Sequence, residues 1–184
     1  MRRLGQFFLD IIQVVVFAVA IFLFTYLLIL QPHKIQGASM SPNYPDGEYL
    51  LTDKVTYRFG EPDRGDIIVF EAPTNDGQEY IKRIIALPGE EVSVKNGKVF
   101  INGRELQEPY ITEDMETSSG SFLQEGEPET VPGEEYFVLG DNRPHSSDSR
   151  AWGFVPKEKI TGRAWVIYWP LQEAGTIRSP KYKL

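Results

Sequence analysis

Two residues far apart in this chain carry the chemistry of a base and a nucleophile. Lys82 stands in Tyr80-Ile81-Lys82-Arg83-Ile84-Ile85-Ala86-Leu87, an apolar run that otherwise reads as the interior of a sheet. A lysine there either snorkels to water, as most strand lysines do, or stays buried and gives up its proton, because desolvation disfavours the charged form. Bringing its pKa from about 10.4 to about 8 costs roughly 3 kcal/mol of folding free energy. The product is a neutral amine, which is a general base. Ser39 lies in Gly37-Ala38-Ser39-Met40-Ser41-Pro42, where a serine is ordinarily a turn residue. It becomes a nucleophile only with a base in hydrogen-bond reach, and a neutral lysine serves where histidine does not.

Histidine offers a rival base. Of the two in the chain, His33 abuts a long apolar segment between Pro32 and Lys34 and reads as interfacial, whereas His145 has Asp141 and Asp148 nearby to orient it in a Ser-His-Asp arrangement. His145 sits in a third cluster, Gly140-Asp141-Asn142-Arg143-Pro144-His145-Ser146-Ser147-Asp148-Ser149-Arg150, too polar and too charge-balanced for a strand. Read plainly, this is a solvated loop with local ion pairs of little worth. Read sharply, it is a clamp: Asp and Arg form bidentate pairs that fix a loop, and a serine hydroxyl orients a lysine amine.

The elements that must position these residues begin with an anchor. From Phe7 to Leu30 the chain is almost entirely Ile, Val, Phe, Leu and Ala, broken only by Asp10, Gln13, Thr25 and Tyr26. A bilayer needs about 20 apolar residues. A cleaved secretory signal would have a core of about 7 to 15 followed closely by small residues; Gly37-Ala38-Ser39 supplies such residues, but a retained anchor fits the longer run better. Arg2 and Arg3 flank it on the N-terminal side, so the positive-inside tendency places the N-terminus in the cytoplasm and the rest on the extracytoplasmic face. We therefore expect residues 1–31 to form the tip and transmembrane anchor, and 32–184 one extracytoplasmic domain with a short insert around 91–134.

Past the anchor the signals are those of a mainly β fold, an antiparallel sheet domain. Strands are predicted over Glu48 to Thr52, Asp66 to Glu71, Tyr80 to Leu87, Glu91 to Val94, Val99 to Asn102, Glu135 to Leu139 and Gly162 to Tyr168. Asn96-Gly97 and Asn102-Gly103 favour type I′ turns and predict a small meander. Helix should reside mainly in the anchor, with one short turn at Pro156-Lys157-Glu158-Lys159-Ile160. The acidic stretch Glu113, Asp114, Glu116, Glu125, Glu127, Glu129, Glu134 and Glu135, with Thr117-Ser118-Ser119-Gly120-Ser121 inside it, reads as a solvated loop without chemistry.

Composition removes several function classes. There is no Cys, so thiol nucleophiles, disulfides and thiolate metal sites are excluded. A formal net charge of -7 argues against nucleic acid as a partner. No metal cluster, phosphate loop or nucleotide motif is present in the sequence, and no cofactor is expected.

The clusters together resemble a family. Ser39-Met40-Ser41-Pro42 is similar to the nucleophile motif of type I signal peptidases, membrane-bound Ser-Lys endopeptidases that remove signal peptides. Arg64-Gly65-Asp66-Ile67-Ile68-Val69-Phe70 looks like their next strand motif, Tyr80 to Glu90 resembles the motif of the general base, and Gly140-Asp141-Asn142-Arg143 with Ser146, Asp148, Ser149, Arg150 and Gly153 resembles the last. The four stand in the family's order behind an anchor at the family's end of the chain. The resemblance implies Ser39 as nucleophile, Lys82 as general base, Ser146 hydrogen-bonded to the lysine amine, and Asp141–Arg83 and Asp148–Arg150 pairs as supports. It implies a largely antiparallel β domain with a membrane-facing surface, acting on signal-peptide-bearing preproteins beside the lipid bilayer, as a monomer near the secretion machinery.

Two departures from the pattern bear on the chemistry. Asn43 follows the motif proline where the family often has Thr, and Gly37 occupies a position where some members carry an oxyanion-stabilising serine. The Ser39 N–H is then expected to donate to the oxyanion. Met40, Ile67, Ile84 and Ala86 are expected to line shallow substrate pockets, with ordinary core as the alternative. Trp165, Tyr168 and Trp169 are candidates for contact with the bilayer, or for core. Two other functions fit some of the features: a self-cleaving Ser-Lys regulator of the repressor type, which needs a DNA-binding region where this chain has an anchor, and a membrane-tethered β scaffold, which has no use for a costly buried base.

Overall fold

The computed structural model describes residues 2–73, 77–112, 114–180 and 182, without the side chains of Arg2, Arg3, Leu4 and Leu27. The orientation argument from Arg2 and Arg3, and the acidic residue Glu113, therefore lie outside the described side chains. Helix α1 runs over Arg2–Leu28, and its segment Gly5–Tyr26, 22 residues, is long and apolar enough to cross a membrane. Its large side chains are exposed all round, as a helix solvated by lipid requires.

One residue beyond α1 the chain enters a sheet of eight strands, all paired antiparallel: β1 (Leu30–Lys34), β2 (Tyr49–Asp53), β3 (Ile67–Glu71), β4 (Glu79–Ala86), β9 (Glu135–Leu139), β10 (Val155–Pro156), β11 (Ile160–Trp169) and β12 (Gly175–Thr176). The order is β1-β2-β11-β3-β4-β9-β10, with β12 on β11. Each predicted strand is present within two residues at either end. The strand β1 was not foreseen, because Gln31-Pro32-His33-Lys34 lacks β-branched residues; Pro32 is tolerated at the sheet edge, where one side needs no ladder donor.

The insert is larger in consequence than expected. It holds a second sheet in the order β7-β6-β5-β8, from β5 (Glu91–Lys95), β6 (Lys98–Ile101), β7 (Arg104–Glu105) and β8 (Glu129–Thr130). The predicted meander is there, and Asn96, Gly97, Asn102 and Gly103 all have positive φ, as type I′ turns demand. Val92, Val94, Val99, Ile101 and Leu123 of the insert pack with Ile85, Ala86, Phe137 and Leu139 of the large sheet into one shared core. The acidic stretch is largely irregular from Asp114 to Glu127, whereas Glu129 opens β8 and Glu135 opens β9, and buried Thr117 and Leu123 hold it down. The remaining helices are short: α2 (Thr56–Phe59), α3 (Ser149–Trp152) and 3-10 turns at Arg143–His145 and Lys157–Lys159.

Candidate active site

Strand β4 pairs with β3 from Glu79 to Arg83, but β9 joins its other edge only at Arg83. Beyond that point the opposite edge of Glu79–Lys82 carries no ladder among the described residues. The loop that follows β1 passes here. Its path is fixed by backbone bonds from Ile35 N–H to the Glu48 carbonyl and from Asn142 N–H to the Ser39 carbonyl, 2.9 Å, and by the Asn142 amide on the Ala38 carbonyl. Gly37, at φ +87°, makes a bend that suits glycine, and its N–H donates to the Asp46 carboxylate at 2.7 Å.

Lys82 Nζ donates to Ser39 Oγ at 2.9 Å and to the Ile81 carbonyl at 2.9 Å. The lysine is 4% exposed. Burial pushes its pKa down to about 8, against the Asp148 and Asp141 carboxylates, which hold the charged form. A largely desolvated amine at hydrogen-bond distance from a hydroxyl can take the hydroxyl's proton without histidine. His145 lines the same cleft, but it is not among the partners of Ser39, so the Ser-His-Asp arrangement does not form.

The two ion pairs that the resemblance implies are formed. Arg83 grips Asp141 bidentately, at 2.8 and 2.6 Å, with both side chains buried; the Tyr110 ring covers the guanidinium at 4.0 Å, and Gly65 offers its carbonyl. Asp148 holds Arg150 bidentately and accepts from the Gly140 N–H, while Arg150 donates to the Arg143 carbonyl. Arg143 in turn binds Glu108 and Thr117 of the insert. Gly140 is required by space: a Cβ there would lie 2.5 Å from the Ser39 carbonyl oxygen and 2.2 Å from Ser146 Oγ.

Two expectations need correction. Ser146 Oγ is buried against Gly140 without a hydrogen-bond partner, so its bond to Lys82 is absent from this arrangement. Met40, Ile67, Ile84 and Ala86 are fully buried and do not line the cleft. Ile84 and Ala86 lie on β4 beyond the point where β9 seals its edge, while Met40 and Ile67 pack into the core with Leu50, Val69 and Ala164. The cleft is a hollow of about 670 Å³ whose larger apolar lining residues are Ile35, Leu50, Val69, Tyr80 and Ile81, with Pro32 and Ala38 beside them. Asn43, whose role the missing Thr left open, bridges two elements: its amide donates to Asp141 at 2.9 Å and to the Tyr110 carbonyl at 2.7 Å.

Sequence reasoning also missed the far end of the cleft. His33 of β1 meets Glu79 of β4 at 2.8 Å and Thr52 at 2.8 Å, and Thr161 donates to the second Glu79 oxygen. The only signal in the sequence was a histidine just past an apolar run. Two cross-cleft polar contacts, Ser39–Lys82 and His33–Glu79, thus stand three residues apart along β4. Among the described residues no cluster of metal-ligating side chains is found.

Comparison with known proteins bears on the family of the chain. Residues 8–169 match the family described as signal peptidase, peptidase S26. A probable signal peptidase I-2 of Synechocystis sp. is 43% identical over 149 residues, 78% of this chain and 65% of that protein's length. A probable signal peptidase I-1 of the same organism is 37% identical over 181 residues, 95% of this chain and 89% of the relative. A crystal structure of a signal peptidase I from Enterococcus faecalis is 38% identical, covering 56% of this chain and 97% of its own, with a TM-score of 0.48. With the family matched over most of its length, this chain belongs to the signal peptidase family, peptidase S26.

Proposed function

We propose that this protein removes N-terminal signal peptides from exported preproteins, with Ser39 as nucleophile and Lys82 as general base. The observation that carries the reading is the hydrogen bond between Lys82 Nζ and Ser39 Oγ, made by a buried lysine at the bottom of a cleft. In the neutral form the amine's lone pair takes the Ser39 proton as Oγ attacks the carbonyl carbon before the cut. The Ser39 N–H stabilises the oxyanion. Collapse breaks the C–N bond, the Lys82 ammonium returns its proton to the leaving amine, and an ester to Ser39 remains. The amine then deprotonates a water that releases the acyl group and restores Ser39.

The unladdered edge of Glu79–Lys82 faces the cleft, so an extended substrate can add as a strand. Packed apolar walls at Ile35, Leu50, Val69 and Ile81 favour small side chains before the cut. Arg83–Asp141 and Asp148–Arg150 act as supports of the site. The helix Gly5–Tyr26 spans the cytoplasmic membrane once, N-terminus inside, and restricts the search for substrate to the bilayer plane. Trp165, Tyr168 and Trp169, all exposed on β11, lie against the interface, and the protein works as a monomer near the secretion machinery.

The deciding experiment incubates the full chain in detergent micelles with a preprotein and identifies the new N-terminus by mass spectrometry. Cleavage after a small residue, lost in Ser39→Ala, supports the reading. Cleavage that persists in Ser39→Ala, or none in the folded wild type, overturns it.

A further inference from the structure

Helix α2 is a single turn held with unusual firmness for its length. The Asp53 carboxylate accepts from the N–H groups of Val55 and Thr56 and from the Thr56 hydroxyl. Tyr57 turns inward, packs on the core around Ile68, Phe70 and Tyr136, and donates its hydroxyl to Asp66 at 2.8 Å. With Tyr57 fixed inward, the next positions point out. Phe59 is 89% exposed, and Arg58 beside it is exposed as well. An aromatic ring held in water by a rigid, well-capped turn forgoes the gain of burial, and nothing among the described residues covers it.

The position of the turn indicates what covers it. Lys54 N–H donates to the Ile29 carbonyl at 2.9 Å, and Asp53 pairs with Leu30. Ile29 is three residues beyond Tyr26, the end of the apolar span. The start of α2 is thus tied at the level where α1 leaves the hydrocarbon, and the polar headgroup layer there is on the order of 5–7 Å thick. Arg58 is a planar donor suited to a phosphate, Lys54 lies beside it, and Glu134 and Glu158 share their hollow, so the surface matches a headgroup layer of mixed charge.

We propose that Phe59 inserts into the phospholipid interface as a second foot of the catalytic domain, with Arg58 on a lipid phosphate. This rests on the reading of α1 as the membrane anchor. The ring then fixes the domain's rotation about the anchor, which a single helix leaves free. It is separate from the aromatic group at the other end of β2, where Tyr49 meets Tyr168 and Trp169.

The chain has no Cys, so a single introduced thiol is uniquely labelled. The full chain carrying Phe59→Cys with a polarity-sensitive dye is reconstituted into phosphatidylcholine–phosphatidylglycerol vesicles containing headgroup-level nitroxide lipid. Val16→Cys, with deep nitroxide lipid, reports the anchor, and Lys98→Cys on the second sheet reports bulk water. Quenching at 59 several-fold above that at 98, with a blue-shifted emission, supports the proposal. Quenching at 16 with none at 59 overturns it and leaves the anchor intact; no quenching at 16 overturns both. In parallel, Phe59→Ser should slow cleavage of a vesicle-inserted preprotein several-fold and leave a short soluble peptide unaffected. Equal effects on the two substrates would overturn the proposal.

Discussion

Ser39 Oγ and Lys82 Nζ lie 2.9 Å apart across 43 residues of sequence, and the lysine that makes this contact is almost wholly buried. The contact makes proton transfer a matter of protonation state rather than of movement. Lys82→Ala should therefore lose about 10²–10⁴ in kcat, the usual worth of a general base, while His145→Ala stays within a few-fold of wild type. A fluorogenic peptide assay in micelles checks both. Retained activity in Lys82→Ala with loss in His145→Ala would reverse the assignment.

The pH dependence follows from the same group. Burial lowers the Lys82 pKa to about 8, so the free amine, the base of the proposed mechanism, accumulates as pH rises through that value. The acid limb of kcat/KM should have its midpoint near it, and a midpoint near 6.5 would point to histidine instead.

Stability responds to Lys82 with a definite sign. The folded pKa lies below that of the free side chain, 10.5, so between about 8 and 10.5 the unfolded chain binds more protons and stability rises with pH. Below about 8 the full penalty applies, about 3 kcal/mol. Lys82→Met should unfold at higher urea concentration than wild type at pH 7, and the gap should close on approaching pH 10.5. A gap that is constant with pH would show that the amine is not destabilising.

The buried pair Arg83–Asp141 should show the asymmetry of internal charges. Asp141→Ala leaves a guanidinium unpaired and should cost about 3–5 kcal/mol, whereas Arg83→Met with Asp141→Leu should recover much of that. Urea titration separates the cases. The double variant should remain poorly active, because Asn43 then has no carboxylate to hold.

Asn43 ties the nucleophile loop to Asp141 and to the insert through Tyr110. Asn43→Ala should lower kcat about 10-fold with little change in KM, since small misplacements of a reacting group are costly. Asn43→Thr should recover part of the loss. A change confined to KM would show that Asn43 serves binding instead.

Most of the sheet was legible because its strands alternate or run apolar between Gly, Pro and Asn-Gly punctuation, and Lys82 stood out against such a run. The pairs Arg83–Asp141 and Asp148–Arg150 were legible only through the resemblance, since their partners lie in chemistry but not in local pattern. Ile84 and Ala86 were misplaced because residue type alone does not tell where β9 stops covering β4, and Met40 and Ile67 because it does not tell a cleft wall from the core beneath it. β1 was invisible for a related reason: Gln31 to Lys34 become a strand by pairing with β2, a tertiary cause that overrides propensity. The bridge made by Asn43 depends on residues 67 and 98 positions away, beyond any local reading.

Gly140 gives the molecule an order of assembly. The Ser39 loop is held where the chain returns after β9, through an Asn142–Ala38 bond that joins residues 104 apart. Ser39 and Lys82 both lie in the first half of the chain, yet their scaffold is closed by a crossing that only the second half supplies. Contacts of such sequence separation close late in folding. A growing chain thus carries Ser39 and Lys82 well before the segment around Gly140 and Asn142 that holds the Ser39 loop in place has been added.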